Sequence, residues 1–276
     1  MTASLTERLT LLAAQWNVAL VATRETYSSL LGFGSCNSKR VVLKISKTAG
    51  DEWKSGEVLR AFQGAGTVSV LESADGAVLL EQLDPATELV ELVRDGRDEE
   101  ATAICGQVIA RMAHHEPPAG CPTVFDWSLG FDRYLDQHDD GPIPAKLVQE
   151  AGEIYRNLAK SQKQVMLLHG DLHHYNILFD SNRGWLAIDP KGVVGELEYE
   201  LGAIIRNPVE LPQFYVSARV IQRRLEHLTA ALDLDYDRAL GWTFAQAVLS
   251  PIWGVEDGFT VTPSHPHLHL AKLIRP

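Results

Sequence analysis

Residues 167–180 read LLHGDLHHYNILFD, a stretch holding three histidines, two aspartates and an asparagine among short apolar runs. The flanking segments QVMLL (164–168) and GWLAID (184–189) have the same character, a few apolar residues ending beside polar ones. Runs this brief are too short for helices and read as small strands that present polar residues at their ends. His169, Asp171, Asn176 and Asp189 all sit beside such runs, so the chain can bring the four to one cleft.

Outward from this stretch the pattern is helical on both sides. The spacing predicts helices over 86–95, 98–115, 143–162, 213–232 and 235–250. Before residue 85 the pattern differs. MTASLTERLTLLAAQW reads as an amphipathic helix, and VALVATRETYSSLLGFGS and KRVVLKIS read as strands joined by the turn-prone CNS. In AGDEWKSGEVLRAFQGAG, Trp53, Val58, Leu59 and Phe62 fall near helical spacing until Gly64 and Gly66 stop it. VSVLES and AVLLEQL then alternate around ADG, a hairpin turn. The fold class is therefore α+β. A small β-rich lobe over 1–83, ordered β, β, β, α, β, β after its first helix, precedes a larger helical lobe over 84–276, with the join inside EQLDPA at 81–86. No internal repeat or low-complexity segment interrupts either part.

The 276 residues are 45% hydrophobic and 22% charged, the composition of an ordinary soluble protein. A formal net charge of −11 and a pI near 5.4 argue against nucleic acid or an anionic membrane as partner, since both attract faces rich in lysine and arginine; a cationic small substrate suits the balance better. Cys36, Cys105 and Cys121 are odd in number and widely spaced, which fits neither a disulfide framework nor a paired zinc motif. Glu7 and Arg8 interrupt what a signal peptide would keep apolar, and no run approaches the ~18 apolar residues of a membrane span. A cytoplasmic, unexported protein is expected.

Three readings of the opening stretch compete. His169, Asp171 and His173 alternate, so on an extended chain they would point one way, as in the H-x-H-x-D-H run of binuclear metallohydrolases with an aspartate and a histidine exchanged. A solvated polar loop is the plainest alternative. The third is phosphoryl transfer, which needs a carboxylate to orient the substrate hydroxyl and oxygen ligands for Mg²⁺. Asp171, then Asn176 five positions on, then Asp189 after an apolar strand, have the layout of a kinase catalytic loop and its metal aspartate. Mg²⁺ prefers oxygen, which makes Asn176 and Asp189 the metal candidates rather than the histidines.

LHGDLHHYNILF (168–179) followed by WLAIDPKGVVGE (185–196) resembles the aminoglycoside phosphotransferase superfamily, in which H-G-D stands where protein kinases have H-R-D. Together with RNP (206–208) and LSPIWGVEDG (249–258), the likeness is closest to the streptomycin 6-phosphotransferase and hydroxyurea phosphotransferase group. It implies the protein-kinase-like two-lobe fold and an O-phosphotransferase using ATP and Mg²⁺ on a small, cationic, hydroxylated substrate such as streptomycin, with a housekeeping small-metabolite kinase as the alternative.

The resemblance also implies roles. Lys44, ending VVLK, would touch the nucleotide phosphates, held by Glu52, with Glu57 as the fallback. The turn at Tyr27, Ser28 and Ser29 would cover the phosphates, leaving Gly32 and Gly34 to the returning strand. Adenine would lie along LLEQL near the backbone of Glu81 and Leu83, with ATP the default over GTP. Asp171 would be the catalytic carboxylate, Asn176 and Asp189 the Mg²⁺ ligands, and His169 a support for the loop. His173 and His174 are read as structural or rim residues. Glu200 matches a family acid at a helix start, where it would satisfy free N–H groups. On the substrate side Asp132, Glu196, Glu198, Glu256 and Asp257 are the acids available to a cationic guest, with Trp253 as an aromatic wall.

Overall fold

The computed structural model describes residues 4–138 and 141–275. Strand alternation explains how its smaller lobe is built. Helix α1 (Leu5–Gln15) starts at a capping box in which Ser4 and Glu7 satisfy each other's backbone N–H, and its Leu9, Leu12 and Ala13 are buried. They pack on Val41, Leu43 and Ile45 of β3 (Lys39–Ser46) and on Leu79 of β5 (Ala77–Glu81). The alternate residues Val42, Lys44 and Leu80 consequently face away from α1, into a cleft, because successive strand side chains point to opposite faces. With β1 (Ala19–Glu25), β2 (Ser29–Cys36) and β4 (Val70–Ala74) these strands form one antiparallel sheet, ordered β1-β2-β3-β5-β4. A single 3-10 turn, Asp51–Lys54, leads into α2 (Ser55–Ala61).

Past Glu81 the chain changes partners. Residues 86–95, expected as one helix, divide into strand β6 (Pro85–Glu88) and the short helix α3 (Val90–Arg94). Strand β6 satisfies its backbone against an edge of the larger lobe's small sheet rather than within a helix, an outcome that periodicity in five or six residues cannot distinguish.

The larger lobe holds most of the core. Helix α4 (Asp98–Met112) is followed by α5 (Val124–Trp127) and α6 (Leu129–Gln137), two short helices that the sequence reading did not mark, and then α7 (Ala145–Lys160). Strand β7 (Met166–Leu168) pairs with β10 (Val193–Gly195), and β8 (Ile177–Asp180) pairs with β9 (Gly184–Ala187) and β6. These small strands carry the polar loops on their ends. The chain finishes with α8 (Leu201–Ile205), α9 (Pro212–Tyr215), α10 (Ala218–Leu232), α11 (Tyr236–Glu256) and α12 (Pro266–Leu273). The segment 213–232 is thus broken near Ser217. Helix α11 instead runs past residue 250 and contains Pro251, its burial outweighing one missing intrahelical hydrogen bond. Among the described residues no helix is long and apolar enough to cross a membrane.

Arg183, at the β8–β9 turn, ties the lobes together. Its guanidinium bonds the Glu81 carboxylate, Ser69 Oγ at 2.9 Å, and the carbonyls of Gly64 and Thr67 at 3.1 and 3.2 Å.

Candidate active site

On the cleft face of β3, Lys44 is only 3% exposed and its ammonium lies 2.7 Å from Glu52 and 2.9 Å from Asp189. Burial alone would lower the pKa of this lysine; Asp189 and Glu52 override that and hold it above its ordinary value. Glu52 arrives from the 3-10 turn before α2, while Glu57 stays exposed on that helix, and the ion-pair partners of Lys44 among the described residues are Glu52 and Asp189. Lys44 and Asp189 line a cavity of about 350 Å³ together with Leu31, Val42, Leu80 and Ile188. Glu81 and Leu83 border the same cavity. The Glu81 carboxylate is engaged by Arg183 and by the Ser69 N–H at 2.8 Å, so backbone is what this edge offers a planar base. The Leu83 N–H has no partner among the described residues.

The phosphate-covering turn needs a correction. Ser29 is buried, and its N–H donates to Thr26 Oγ1 at 3.0 Å in a local side-chain turn, so it is not available to an incoming phosphate. Neither Ser28 nor Ser29 lines the cavity. Tyr27, between them and the strand before, packs its ring 5.1 Å from that of Phe259, which joins this turn to the loop beyond α11.

Asp171 follows β7 on a tightly cross-braced loop. Gly170 has φ of +81°, and a Cβ there would lie 2.8 Å from the Trp127 ring, so both conformation and space favour glycine. The buried Glu200 carboxylate accepts the N–H groups of His169 (2.7 Å) and Gly170 (3.2 Å). Glu200 therefore serves the loop's backbone, and not the free N–H groups of its own helix that its place at a helix start suggests. His169 is wholly buried; its Nδ1 accepts the Asp171 N–H at 3.3 Å and its Nε2 lies 2.8 Å from the Ile188 carbonyl, next to Asp189. Asn176 Nδ2 donates to the Asp171 carbonyl at 3.0 Å.

Around the Asp171 carboxylate stand Arg206 Nη2 at 3.4 Å, Lys191 Nζ at 3.7 Å and His173 Nε2 at 3.8 Å. Burial pushes this carboxyl up, but Lys191, His173, Arg206 and His169 together hold it well below the usual carboxylate range. His174 is fully buried with neither ring nitrogen bonded, and His267 on α12 meets the Arg206 carbonyl at 2.8 Å. The histidines are dispersed among separate contacts, and among the described residues no group of three or more His, Cys, Asp or Glu could hold a metal. A metallohydrolase centre is not what this stretch assembles.

Oxygen ligation of Mg²⁺ fits better. Asn176 uses its amide nitrogen on the Asp171 carbonyl, leaving Oδ1 available, and Asp189 uses Oδ1 on Lys44, leaving its second oxygen. Mg²⁺ takes one or two protein oxygens and completes its shell with phosphates and water.

A second pocket of about 260 Å³ is lined by Asp126, Trp127, Arg133, Trp253, Glu256, Asp257 and the Lys191 that stands near Asp171. Three of the residues expected on the substrate side, Trp253, Glu256 and Asp257, lie in it. Glu256 is doubly bonded by Arg133, at 2.8 and 3.2 Å, and Lys191 sits 5.5 Å from the centre of the Trp253 ring. Asp132 is elsewhere. Adjacent helical residues are about 100° apart, so with Arg133 on the pocket side, Asp132 turns to Arg156 on α7 at 3.3 Å, its side chain 55% exposed. Glu196 is buried against Arg238 and Trp242, and Glu198 accepts from Asp235 N; neither lines the pocket. Asp126, Trp127, Arg133, Lys191 and Arg206 were missed as site residues. Lys191 and Arg206 stood in quoted motifs, whereas Asp126 and Trp127 carried no sequence signal.

Two buried groups set opposing pH slopes on stability. Burial holds His169 down at about 4 from 6.5, so the unfolded chain takes up a proton first and stability falls as pH drops through that window. Burial pushes Glu200 up to about 7 from 4.5, so the folded chain keeps a proton that the unfolded one loses, and stability falls as pH rises through that window. Glu200→Gln removes the second slope. Its melting temperature should climb from pH 4 to 6.5 more steeply than that of the native chain; parallel curves would mean that Glu200 titrates alike in the folded and unfolded chain.

Comparison with known proteins adds to this geometry. Residues 15–258 match the family model described as aminoglycoside/hydroxyurea antibiotic resistance kinase. The chain is 32% identical over 225 residues to streptomycin 3''-kinase of Klebsiella pneumoniae, covering 79% of this chain and 80% of that one. To streptomycin 6-kinase of Streptomyces griseus it is 31% identical over 224 residues, covering 75% and 68%. Among solved structures, aminoglycoside phosphotransferase APH(4)-Ia in a ternary complex with ADP and hygromycin B shares the fold, with a TM-score of 0.69, 14% identity and 97% of both chains covered.

Proposed function

This chain is a phosphotransferase belonging to the aminoglycoside/hydroxyurea antibiotic resistance kinase family, and from that premise we propose that it transfers the γ-phosphoryl group of Mg-ATP to a hydroxyl of a streptomycin-like aminoglycoside. One observation carries the reading: Lys44, paired with Glu52, and Asp189 line a nucleotide-sized cavity, while Lys191, two residues after Asp189, lines the pocket bearing Trp253 and Asp257 and reaches within 3.7 Å of the Asp171 carboxylate.

Each residue then has a task. The Glu52 carboxylate holds Lys44 toward the α and β phosphates, and the backbone at Glu81 and Leu83 receives the adenine edge. Asn176 and Asp189 hold Mg²⁺, which when bound neutralises charge on the nucleotide phosphates. Asp171 accepts a hydrogen bond from the acceptor hydroxyl and aims its oxygen at phosphorus. With its pKa so low it is a weak base, so orientation is its larger contribution, the proton following late in a loose transition state. Glu200 and His169 fix the loop that does this. The cytoplasm would supply ATP and keep the three thiols reduced.

Similar sequence identity to a 3''-kinase and to a 6-kinase leaves the attacked hydroxyl to the shape of the pocket. A second reading has its own support. Arg133 neutralises Glu256, Asp126 is satisfied by the Thr123 N–H and hydroxyl, and Lys191 lies over Trp253, so the pocket is less acidic than its composition. That favours a neutral hydroxylated metabolite over a strongly cationic antibiotic.

Both readings are tested by purified protein with Mg-ATP across streptomycin, other aminoglycosides, hydroxyurea and hydroxylated metabolites, with mass detection of an added phosphoryl group. Streptomycin turnover with kcat/KM of at least ~10⁴ M⁻¹s⁻¹ is expected for a resistance kinase. Phosphate on a neutral metabolite alone would select the second reading, and no phosphorylated product from any compound would sink both.

A further inference from the structure

We propose that Lys191 is a further catalytic residue, one that meets the phosphoryl group in flight from the acceptor side; this rests on the phosphotransferase reading above. The turn Asp189–Gly192 links the two pockets, with Asp189 lining the nucleotide cavity and Lys191 lining the other. Its shape is imposed by backbone. Asp189 has φ of +57° and Gly192 has φ of +77°, where a Cβ would come within 2.5 Å of Val58 Cγ2. The N–H groups of Lys191 and Gly192 both donate to the His169 carbonyl at 3.0 Å, which fastens the root of the Lys191 side chain to the loop carrying Asp171.

The ammonium is held by charge alone, near Asp171 and over the Trp253 ring, with its N–H donors unspent. At 3.7 Å from Asp171 Oδ2 it is beyond hydrogen-bond distance, and among the described residues it donates no hydrogen bond. The other two cations nearby are engaged differently. Arg206 is 4% exposed and lines neither pocket, so it braces Asp171 from behind, and Arg133 is bound to Glu256. Among the described residues, Lys191 is the cation lining the second pocket that keeps its donors unused.

During transfer the acceptor oxygen bonds to the γ-phosphorus while the bond from that phosphorus to the β–γ bridging oxygen breaks. The nucleoside diphosphate departs with the electron pair, and the hydroxyl proton passes to Asp171 and on to solvent. Negative charge is spread over the three equatorial oxygens throughout. Lys44 meets the phosphates from the nucleotide side only. Lys191 supplies a positive charge and up to three donors from the opposite side, as an arginine finger does elsewhere, where the gain is about 10³–10⁵-fold. A lysine point charge beside Asp171 should contribute less, about 10²-fold.

The test compares Lys191→Met and Lys191→Arg with the native full chain in three assays: slow ATP hydrolysis without acceptor, transfer to streptomycin, and binding of ADP alone against ADP with aluminium fluoride. Lys191→Met should lower acceptor-free hydrolysis and the kcat of transfer alike, each by about 10²-fold. It should weaken ADP–aluminium fluoride binding, leave ADP binding and the melting temperature unchanged, and be partly restored by arginine. A raised KM for acceptor with native hydrolysis and native ADP–aluminium fluoride binding would overturn the proposal and make Lys191 an acceptor contact. A native protein that hydrolyses no ATP, binds no ADP–aluminium fluoride and phosphorylates nothing would remove the phosphotransferase reading itself, and the inference with it.

Discussion

Asp171→Ala should reduce kcat by about 10³–10⁴-fold, the upper range for loss of a positioned acid–base group, while the Kd for Mg-ATP changes little. The separation follows from the geometry, because among the described residues Asp171 neither lines the nucleotide cavity nor bonds a residue that does, and its carboxylate is bounded instead by Arg206, Lys191 and His173. Alanine also leaves the buried Arg206 guanidinium without its carboxylate, so stability must be measured beside activity. Asp171→Asn is the companion variant. It keeps the volume and a hydrogen-bond acceptor, loses the charge that draws the hydroxyl proton, and should lose nearly as much turnover with less thermal destabilisation. Because neighbouring cations hold Asp171 far below the usual carboxylate range, it stays ionised as pH falls, and the acid limb of kcat/KM should not report it. Asn176→Ala and Asp189→Ala should act on the other substrate and weaken Mg-nucleotide binding. An Asp171→Ala protein with native turnover would end the assignment.

The residues that could be read from sequence are those whose position follows from local pattern. Lys44 reaches the cleft because strand alternation sends Val41, Leu43 and Ile45 to α1 and the residues between them the other way, a rule of period two that the string VVLKIS already displays. The loop from His169 to Asn176 was legible because its chemistry demands residue types at fixed offsets. The acceptor pocket was not. Asp126 and Trp127 reach it through the packing of two short helices with no periodicity long enough to notice, and Asp132 misses it by a single helical position. Acid residues were the least readable, since a carboxylate in a sequence does not reveal its partner. Glu196 answers to Arg238, Glu256 to Arg133, and Glu200 to two loop N–H groups. Ser29 failed for a related reason: Thr26 three residues earlier satisfies its N–H before any ligand arrives.

Arg224→Ala should cost about 3–5 kcal/mol of stability, the penalty for breaking a buried ion pair by removing one partner. The side chain is 0% exposed and joins three elements. Its guanidinium grips both oxygens of Asp98 at the start of α4 and donates to the carbonyls of Ile204 (3.2 Å), in the last turn of α8, and Asn207 (2.7 Å), just past it. Alanine would leave the Asn207 carbonyl unpaired in a dry interior, and the Ile204 carbonyl with the Asn207 N–H at 3.3 Å; an orphaned buried group costs on the order of 1–3 kcal/mol. Arg223→Ala is the control. It shares Asp98 but is 37% exposed, so solvent screens it and the loss should stay within about 1 kcal/mol. By thermal melting the first substitution should lower the midpoint by roughly 10 °C and the second by a few degrees at most. The consequence reaches the active site, since Ile204 and Asn207 bracket Arg206, the cation that braces Asp171. Below its melting temperature, Arg224→Ala should therefore turn over more slowly with nucleotide affinity intact. If instead it melts early but turns over normally, the brace on Asp171 is set by His267 holding the Arg206 carbonyl and not by the network on α10.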